Sequence, residues 1–216
     1  MRVSERDRAS MAVLVAKLRA AAAGDPRVLA AMESLPRRVF ISAPYQGDGY
    51  LDRAIPIECG QSMTSPSTVA AMVTALDVKP EHKVLEVGCG SGFQAAVLSK
   101  LARAVVTLDR FRTLVELAED RLTALKIEGV TALVADGLEG FTRHAPYDRI
   151  LVDGAVPKIP GPLMDQLADK GVLVAPVGTG PSQALVRIVR DGRLYHRAEL
   201  GQVRYVPLIE GVASRL

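Results

Sequence analysis

The chain contains few of the residues from which several common kinds of protein are built. Its 216 residues include no tryptophan, two cysteines and three histidines. Cys59 and Cys89 are too few for the framework of disulfides that stabilises small secreted domains. His82, His144 and His196 are far apart and lack the spacing of metal ligands. The sequence therefore predicts neither a disulfide scaffold nor a metal site.

Concentrated charge and long apolar runs are also missing. The net charge is +3, and the basic residues do not form the stripe of charge with stacking aromatics that binds nucleic acid. No apolar run approaches the ~20 residues needed to span a bilayer, and the charged segment Met1–Arg8 lacks the apolar core of a secretory signal. We expect a cytoplasmic monomer that binds neither nucleic acid nor membranes.

The first third of the chain has helical periodicity interrupted by a long irregular stretch. Apolar residues at helical spacing predict helices over 5–22 and 26–34, and a third over 66–77 that begins at Pro66. Residues 39–65 contain proline, glycine and tyrosine with little periodicity and are predicted to be mostly loop.

Beyond residue 82 the sequence alternates between short apolar runs and helical periodicity. This alternation predicts a parallel sheet covered on both faces by helices. Asp191-Gly192 separates two later apolar runs and predicts an antiparallel hairpin after the parallel strands. The predicted strands are 83–88, 104–109, 130–135, 148–153 and 171–176, and the predicted helices are 92–102, 112–126 and 161–169.

The most informative segment runs from Val84 to Phe93 and reads Val-Leu-Glu-Val-Gly-Cys-Gly-Ser-Gly-Phe. It predicts a buried strand, a glycine-rich turn and a helix whose free N–H groups face a ligand. The glycine spacing is Gly-x-Gly-x-Gly, which differs from the Gly-x-Gly-x-x-Gly of dinucleotide-binding proteins. The alternative is a glycine-rich turn with no ligand.

Two acidic residues accompany this turn. Glu86 lies just before the first glycine, and Asp109 ends the next predicted strand, where a carboxylate can accept hydrogen bonds from both hydroxyls of a ribose. Together with the turn, they favour S-adenosylmethionine (SAM) over NAD as the cofactor. The residues predicted to bind it here are Glu86, Gly88, Cys89, Gly90, Ser91, Gly92, Asp109 and Arg110.

These features predict an α/β fold, a doubly wound Rossmann-like sheet of the kind found in SAM-dependent methyltransferases. A late antiparallel hairpin is usual in those enzymes, and ligands bind beyond the carboxyl ends of the strands. We expect residues 1–65 to form an N-terminal extension of helices and a substrate loop, and residues 66–216 to form the methyltransferase domain.

Further segments carry a closer resemblance. Gly-Gln-Ser-Met-Thr-Ser-Pro at 60–66 and Arg-Tyr-Val-Pro-Leu at 204–208 are its most specific parts. With them, almost the whole chain resembles the protein-L-isoaspartate O-methyltransferase family. The resemblance implies SAM-dependent methylation of isoaspartyl carboxylates in damaged proteins and peptides, and adds Asp136 and Gly137 to the cofactor site. The other matching segments are Leu35–Phe40, Ala54–Ile57, Gly92–Ala96, Ala145–Asp148 and Pro176–Gly178.

The chain departs from the family pattern at two places. The family usually reads Gly-Gln-Thr-Ile-Ser-Gln-Pro at 60–66, so its active-site serine falls on Thr64, which is predicted to be catalytic. The second departure is Asp153, where the family has a small neutral residue, and we expect it to line the acceptor pocket. The other residues predicted to bind substrate are Ser62, Ser65, Val203 and Tyr205.

Each of these two predictions has a structural alternative. Thr64 could cap the helix that starts near Pro66, and Asp153 could be a turn residue before Gly154. No residue has the pattern of a catalytic base, which suits an acceptor carboxylate that is already ionised at neutral pH.

Two other functions stay open at this point. A methyltransferase of the same family could act on another carboxylate acceptor, which Thr64 and Asp153 favour. A SAM-binding protein without catalysis is the second alternative, and it is disfavoured because no nucleoside-contacting position is lost.

Overall fold

A computed structural model describes residues 4–214. Its centre is a seven-stranded sheet with the order β5-β4-β3-β6-β7-β8-β9, and a separate two-stranded sheet pairs β1 with β2. The strands are β1 Ile55–Pro56, β2 Ser62–Met63, β3 Lys83–Val87, β4 Ala104–Asp109, β5 Val130–Val134, β6 Tyr147–Val152, β7 Leu167–Val177, β8 Gln183–Asp191 and β9 Leu194–Val203. The helices are α1 Glu5–Ala20, α2 Pro26–Glu33, α3 Pro66–Leu76, α4 Phe93–Ser99, α5 Arg112–Ala124 and α6 Gly161–Asp165.

The predicted fold class is confirmed. Strands β5, β4, β3, β6 and β7 are parallel, and β8 and β9 continue the sheet as an antiparallel pair. In the centre of the sheet, Leu85 of β3 lies between Val106 of β4 and Ile150 of β6. The predicted Asp191-Gly192 turn joins β8 to β9, and Gly192 adopts a φ of +61° that favours glycine.

The largest error in the sequence-based prediction lies between β6 and β8. The helix predicted over 161–169 ends at Asp165, and β7 begins at Leu167 instead of residue 171. Leu167 is drawn into the sheet because it pairs with Tyr147, while the neighbouring Gln166 side chain bonds to the backbone of Phe141, Glu139 and Pro162. The local periodicity of apolar residues in the sequence does not predict these long-range hydrogen bonds.

The loop predicted over 39–65 contains more structure than expected. Two short 3-10 turns, Arg37–Phe40 and Ala43–Asp48, start it, and β1 and β2 close it into a small hairpin. The helix predicted over 92–102 is shorter and spans Phe93–Ser99.

The core has two parts, one on each face of the large sheet. Alternate residues divide between them, so that Val84 belongs to one cluster and Leu85 to the other. The first cluster also contains Met11 and Leu14 of α1, together with α2, α3 and α4. The N-terminal helices therefore share a core with the sheet, and the domain boundary at residue 65 stays a prediction.

Within residues 4–214, no helix has the length and apolar character needed to cross a membrane.

Candidate active site

Most of the predicted site residues lie together beyond the carboxyl ends of strands β3, β4 and β6 of the large sheet. The N–H groups of Gly88 and Cys89 donate to the carbonyl oxygen of Leu108 at 2.8 and 2.9 Å. The Asp153 N–H donates to the carbonyl oxygen of Val87 at 2.7 Å. The parallel pairing of the strands and these additional backbone hydrogen bonds bring the glycine turn, the end of β4 and Asp153 together.

The glycines of the turn are required by its backbone. Gly88, Gly90 and Gly92 have φ values of +97°, +51° and +83°, which side chains rarely allow. A Cβ atom at Gly88 would lie 3.0 Å from the carbonyl oxygen of Asp153, and one at Gly92 would lie 2.9 Å from Cβ of Ala118. The turn thus depends on glycine both for its conformation and for close packing.

Asp109 holds this turn in place. Its Oδ2 accepts a hydrogen bond from the Gly90 N–H at 2.9 Å, and its Oδ1 accepts one from the Phe111 N–H at 3.0 Å. Burial raises the pKa of Asp109 above its usual value, and the two backbone donors oppose that rise. A carboxylate offers about four lone-pair positions, so two remain for a ligand.

A cleft opens beside the turn, and we call it the glycine cleft. Its walls contain six of the residues predicted to bind the cofactor, together with apolar side chains. The six are Gly88, Gly90, Asp109, Arg110, Asp136 and Gly137. The other lining residues are Gln61, Ser62, Val87, Leu108, Phe111, Leu114, Leu138, Asp153, Val206, Pro207, Leu208 and Ile209.

The other four residues predicted to bind the cofactor lie outside its walls. Cys89 and Ser91 line a smaller adjoining cavity, and burial keeps the pKa of the Cys89 thiol well above its usual value. Gly92 packs against α5. Glu86 is fully buried beneath the turn and accepts a hydrogen bond from the Thr107 hydroxyl.

A second cleft, which we call the threonine cleft, adjoins the glycine cleft. It contains the predicted residues Ser62, Thr64, Ser65, Asp153 and Tyr205. The rest of its lining is Asp52, Arg53, Ala54, Thr68, Arg204 and Val206. Val203, predicted to bind substrate, lies outside it at the end of β9 and packs against the core.

The alternative role for Thr64 is wrong, because Ser65 caps α3. Ser65 is the N-cap residue and its Oγ accepts from the Thr68 N–H at 3.4 Å. The Thr64 hydroxyl is instead directed at Asp153, with its Oγ1 at 3.3 Å from Oδ1 and 3.4 Å from Oδ2.

The two clefts meet at Asp153. Three residues line both clefts, Ser62, Asp153 and Val206, and Asp153 is the charged one. Burial raises the pKa of its carboxyl to about 6, and hydrogen bonds from Tyr205 and Thr64 oppose the rise. A carboxyl group whose pKa is raised by burial therefore lies between the two sites.

Sequence reasoning missed Arg37. This side chain is fully buried, and its Nε donates to the Gly49 carbonyl at 3.1 Å while its Nη2 donates to the Thr64 carbonyl at 2.9 Å. Burial lowers its pKa to about 9, and its guanidinium lies 4.9 Å from the centre of the Phe93 ring. Arg37 lies in the matching segment Leu35–Phe40, for which the resemblance implies no role, and its position behind Thr64 indicates one.

The C-terminal segment after β9, residues 204–214, forms a wall of both clefts. The Ala155 N–H donates to the Val206 carbonyl and the Leu208 N–H donates to the Ala155 carbonyl, both at 2.9 Å. Farther along, the Gly211 N–H donates to Asp136 Oδ2 at 2.6 Å, and its carbonyl accepts from Arg110 Nε at 3.0 Å. Asp136 thus anchors this segment as well as its own turn.

The geometry suits transfer of a group between two ligands. Each ligand has its own cleft, and a hydroxyl and a carboxyl meet between them. Within the described part of the chain, no cluster of histidine, cysteine and acidic residues could hold a metal ion.

Comparisons with known proteins identify one family that the chain resembles over most of its length. The profile of the family described as protein-L-isoaspartate(D-aspartate) O-methyltransferase matches residues 9–213. A protein-L-isoaspartate O-methyltransferase of Parvibaculum lavamentivorans is 50% identical over 204 residues, covering 93% of this chain and 92% of that protein. The protein of the same name from Azorhizobium caulinodans is 46% identical over 214 residues, 99% of each chain.

Solved structures show the same fold. A crystal structure from Plasmodium falciparum, described as a protein-L-isoaspartate O-methyltransferase in complex with S-adenosyl-L-homocysteine, has a TM-score of 0.79 and 22% identity, covering 91% of this chain and 97% of that one. A second structure, named protein-L-isoaspartate O-methyltransferase, has a TM-score of 0.84 and 22% identity, covering 94% of this chain and 67% of that one.

Proposed function

The chain belongs to the protein-L-isoaspartate(D-aspartate) O-methyltransferase family, and from that premise we propose that it methylates L-isoaspartyl carboxylates of damaged proteins with SAM. The observation that carries the proposal is that the glycine cleft and the threonine cleft meet at Asp153, toward which the Thr64 hydroxyl is directed.

The glycine cleft has the chemistry that SAM requires. Its charged walls include carboxylates with free lone pairs, which suit hydroxyl and ammonium groups, and its apolar side chains, such as Phe111 and Leu138, suit an adenine ring. We assign the ribose hydroxyls to Asp109, the methionine part to the turn from Gly88 to Gly90, and the adenine region to Asp136-Gly137. When bound, SAM supplies a methyl group on a positively charged sulfur.

Positioning is the main task of the threonine cleft. An isoaspartyl carboxylate is ionised at neutral pH, so it needs no base to attack a methyl carbon. Alignment of attacking oxygen, methyl carbon and sulfur can contribute ~7–11 kcal/mol. In this proposal the Thr64 hydroxyl turns from Asp153 to the acceptor carboxylate and holds one of its oxygens, while Tyr205 and Ser62 border the peptide.

A second acceptor is favoured by one observation. Asp153 brings a carboxyl group to the junction, and a negative charge there opposes the approach of an acceptor carboxylate. A carboxylate acceptor that carries its own cationic group, in a modified peptide or a small molecule, would reduce this cost, so the same enzyme would methylate that carboxylate instead.

A methyl-transfer assay distinguishes the two. The protein is incubated with SAM labelled in its methyl group and with two peptides that differ only in an isoaspartyl or an aspartyl linkage. We expect label in the isoaspartyl peptide alone. If the protein binds SAM but labels neither peptide, the repair function is wrong and the second acceptor takes its place. The monomeric state and the cytoplasmic location remain predictions from the sequence.

A further inference from the structure

Three carboxyl groups gather around the junction of the clefts without a cation. Glu86, Asp109 and Asp153 come from β3, β4 and the end of β6, and within residues 4–214 none of them forms an ion pair. Burial raises the pKa of each, and the charge of Asp153 further raises that of Glu86. An unpaired anion in a poorly solvated site is costly, so this junction lacks a positive charge.

A second observation concerns the buried side chain of Gln94. It is only 5% exposed, and its amide lies near the carboxyl groups of Glu86 and Asp153 and lowers the pKa of both, without a hydrogen bond of ordinary length to either. It lines the small cavity between the clefts together with Thr64 and Asp153. Oε1 of the fully buried Glu86 also has no partner. Buried polar groups in native proteins are nearly always paired, so several here remain available to a ligand or to ordered water.

We propose that Asp153 is the counter-ion of the SAM sulfonium and sets the preference of the protein for SAM over S-adenosylhomocysteine. The inference rests on the proposed function. A methyl group passed from one cleft to the other must be presented where the clefts meet, and Asp153 is the charged residue that lines both. S-Adenosylhomocysteine carries a neutral sulfur and otherwise the same groups, so Asp153 distinguishes the two molecules by charge.

Within residues 4–214 no charged group forms an ion pair with Asp153, and Arg110 of the glycine cleft donates instead to the Gly211 carbonyl. Glu86 and Asp109 are acidic, and the buried Tyr205 hydroxyl and Cys89 thiol stay neutral because burial raises the pKa of both. Arg53 and Arg204 line the threonine cleft together with Asp52. Both arginines are exposed, so solvent and salt screen their charge.

The test is calorimetry with SAM and with S-adenosylhomocysteine at pH 7.5, without an acceptor, on the wild type and on Asp153→Asn. We expect the substitution to lower the ratio of SAM affinity to S-adenosylhomocysteine affinity about tenfold, by loss of one charge pair in a partly screened site. Asp136→Asn is the matched control, since it removes a carboxylate that lines the glycine cleft but not the threonine cleft. It should weaken the binding of both ligands equally and leave the ratio of their affinities unchanged.

The number of protons released when a ligand binds to the wild type provides a second test, which does not depend on how well the variant folds. At pH 6 part of the Asp153 population is protonated, and a sulfonium beside it lowers its pKa. Binding of SAM to the wild type should therefore release more protons than binding of S-adenosylhomocysteine, as read from binding enthalpies in buffers of different ionisation enthalpy.

The outcomes separate this inference from the proposed function. An unchanged affinity ratio in folded Asp153→Asn, or equal proton release by the two ligands in the wild type, overturns the counter-ion role. Failure to bind either ligand overturns the proposed cofactor instead. A protein that shows the expected ratio and proton release but methylates no isoaspartyl peptide keeps the counter-ion role and loses the repair function.

Discussion

The two clefts share one edge of the sheet but are built in different ways. The glycine cleft is formed largely by the ends of consecutive strands β3, β4 and β5, and backbone hydrogen bonds fix its turn. The threonine cleft is assembled from segments far apart in the chain, so that Thr64 reaches Asp153 across 89 positions. One site is fixed by local backbone geometry, and the other by side chains that meet only after folding.

Because of this difference, substitutions in the two clefts should have different effects. Substitutions that alter the glycine cleft should act on cofactor affinity, because its groups are set before any acceptor arrives. Substitutions in the threonine cleft should act on turnover, because its groups position the acceptor. Three variants test that separation and a fourth tests the carboxyl group at the junction, from the largest expected effect to the smallest.

Replacement of Thr64 by valine should have the largest effect. The change keeps the branched shape and deletes the hydroxyl, so we expect kcat to fall about 10²-fold through loss of alignment, with SAM affinity unchanged. Steady-state kinetics with an isoaspartyl peptide and calorimetry with SAM measure the two quantities. Thr64→Ser restores the residue usual in the family and should keep most activity. A valine variant with normal kcat would remove Thr64 from the mechanism.

Replacement of Asp109 by alanine should act on the other cleft. It removes charge-assisted hydrogen bonds worth ~1.5–3 kcal/mol, so SAM affinity should fall about 10- to 100-fold. The Gly90 and Phe111 N–H groups also lose their acceptor, which should lower the melting temperature. Asp120→Ala, on the exposed side of α5, is the control and should change neither. Unaltered SAM affinity in a folded Asp109→Ala protein would contradict the ribose assignment.

Replacement of Arg37 by methionine tests whether the N-terminal segment supports the threonine cleft. Two carbonyl oxygens lose their donors, so the free energy of unfolding should fall by about 1–3 kcal/mol, and kcat should fall more than SAM affinity because one of them belongs to Thr64. Urea unfolding and kinetics check both. Arg38→Met is the neighbouring control: Arg38 is half-exposed and paired with Asp7, and its loss should cost less than about 0.5 kcal/mol. Equal effects of the two variants would refute a positioning role.

The stability of Asp153→Asn should depend on pH with a defined sign. In the folded protein the pKa of Asp153 is about 6, above the unfolded value of about 3.9, so the folded state holds the proton more tightly. The wild type therefore loses stability from this group as pH rises from about 4 to 6. Because solvent partly reaches the carboxylate, we expect the variant to be more stable than the wild type by about 1–2 kcal/mol at pH 8. Thermal unfolding should show no such gain at pH 4, and a gain that does not vary with pH would contradict the shifted pKa.

The same contrast explains how far the sequence could predict the site. The glycine turn and Asp109 were recognised because strand, turn and acid lie within 30 residues and their spacing reports their geometry. Thr64 and Asp153 were recognised through a resemblance, which did not indicate that their side chains meet. Arg37 and Gln94 lie in segments that match the family, but the sequence indicates no role for either side chain, since an arginine in a turn and a glutamine in a helix are ordinary until their burial is known.

The segment that follows β9 gives the two clefts a common wall, with Tyr205 on the acceptor side and Leu208 and Ile209 on the cofactor side. Because this one segment borders both clefts, a ligand that contacts it in one cleft also acts on the site of the other ligand. Cofactor and acceptor should therefore bind with positive heterotropic cooperativity, and by thermodynamic reciprocity each should strengthen the other by the same factor. After methyl transfer, the release of one product should accordingly weaken the binding of the other, so that one segment couples capture of the substrates to release of the products.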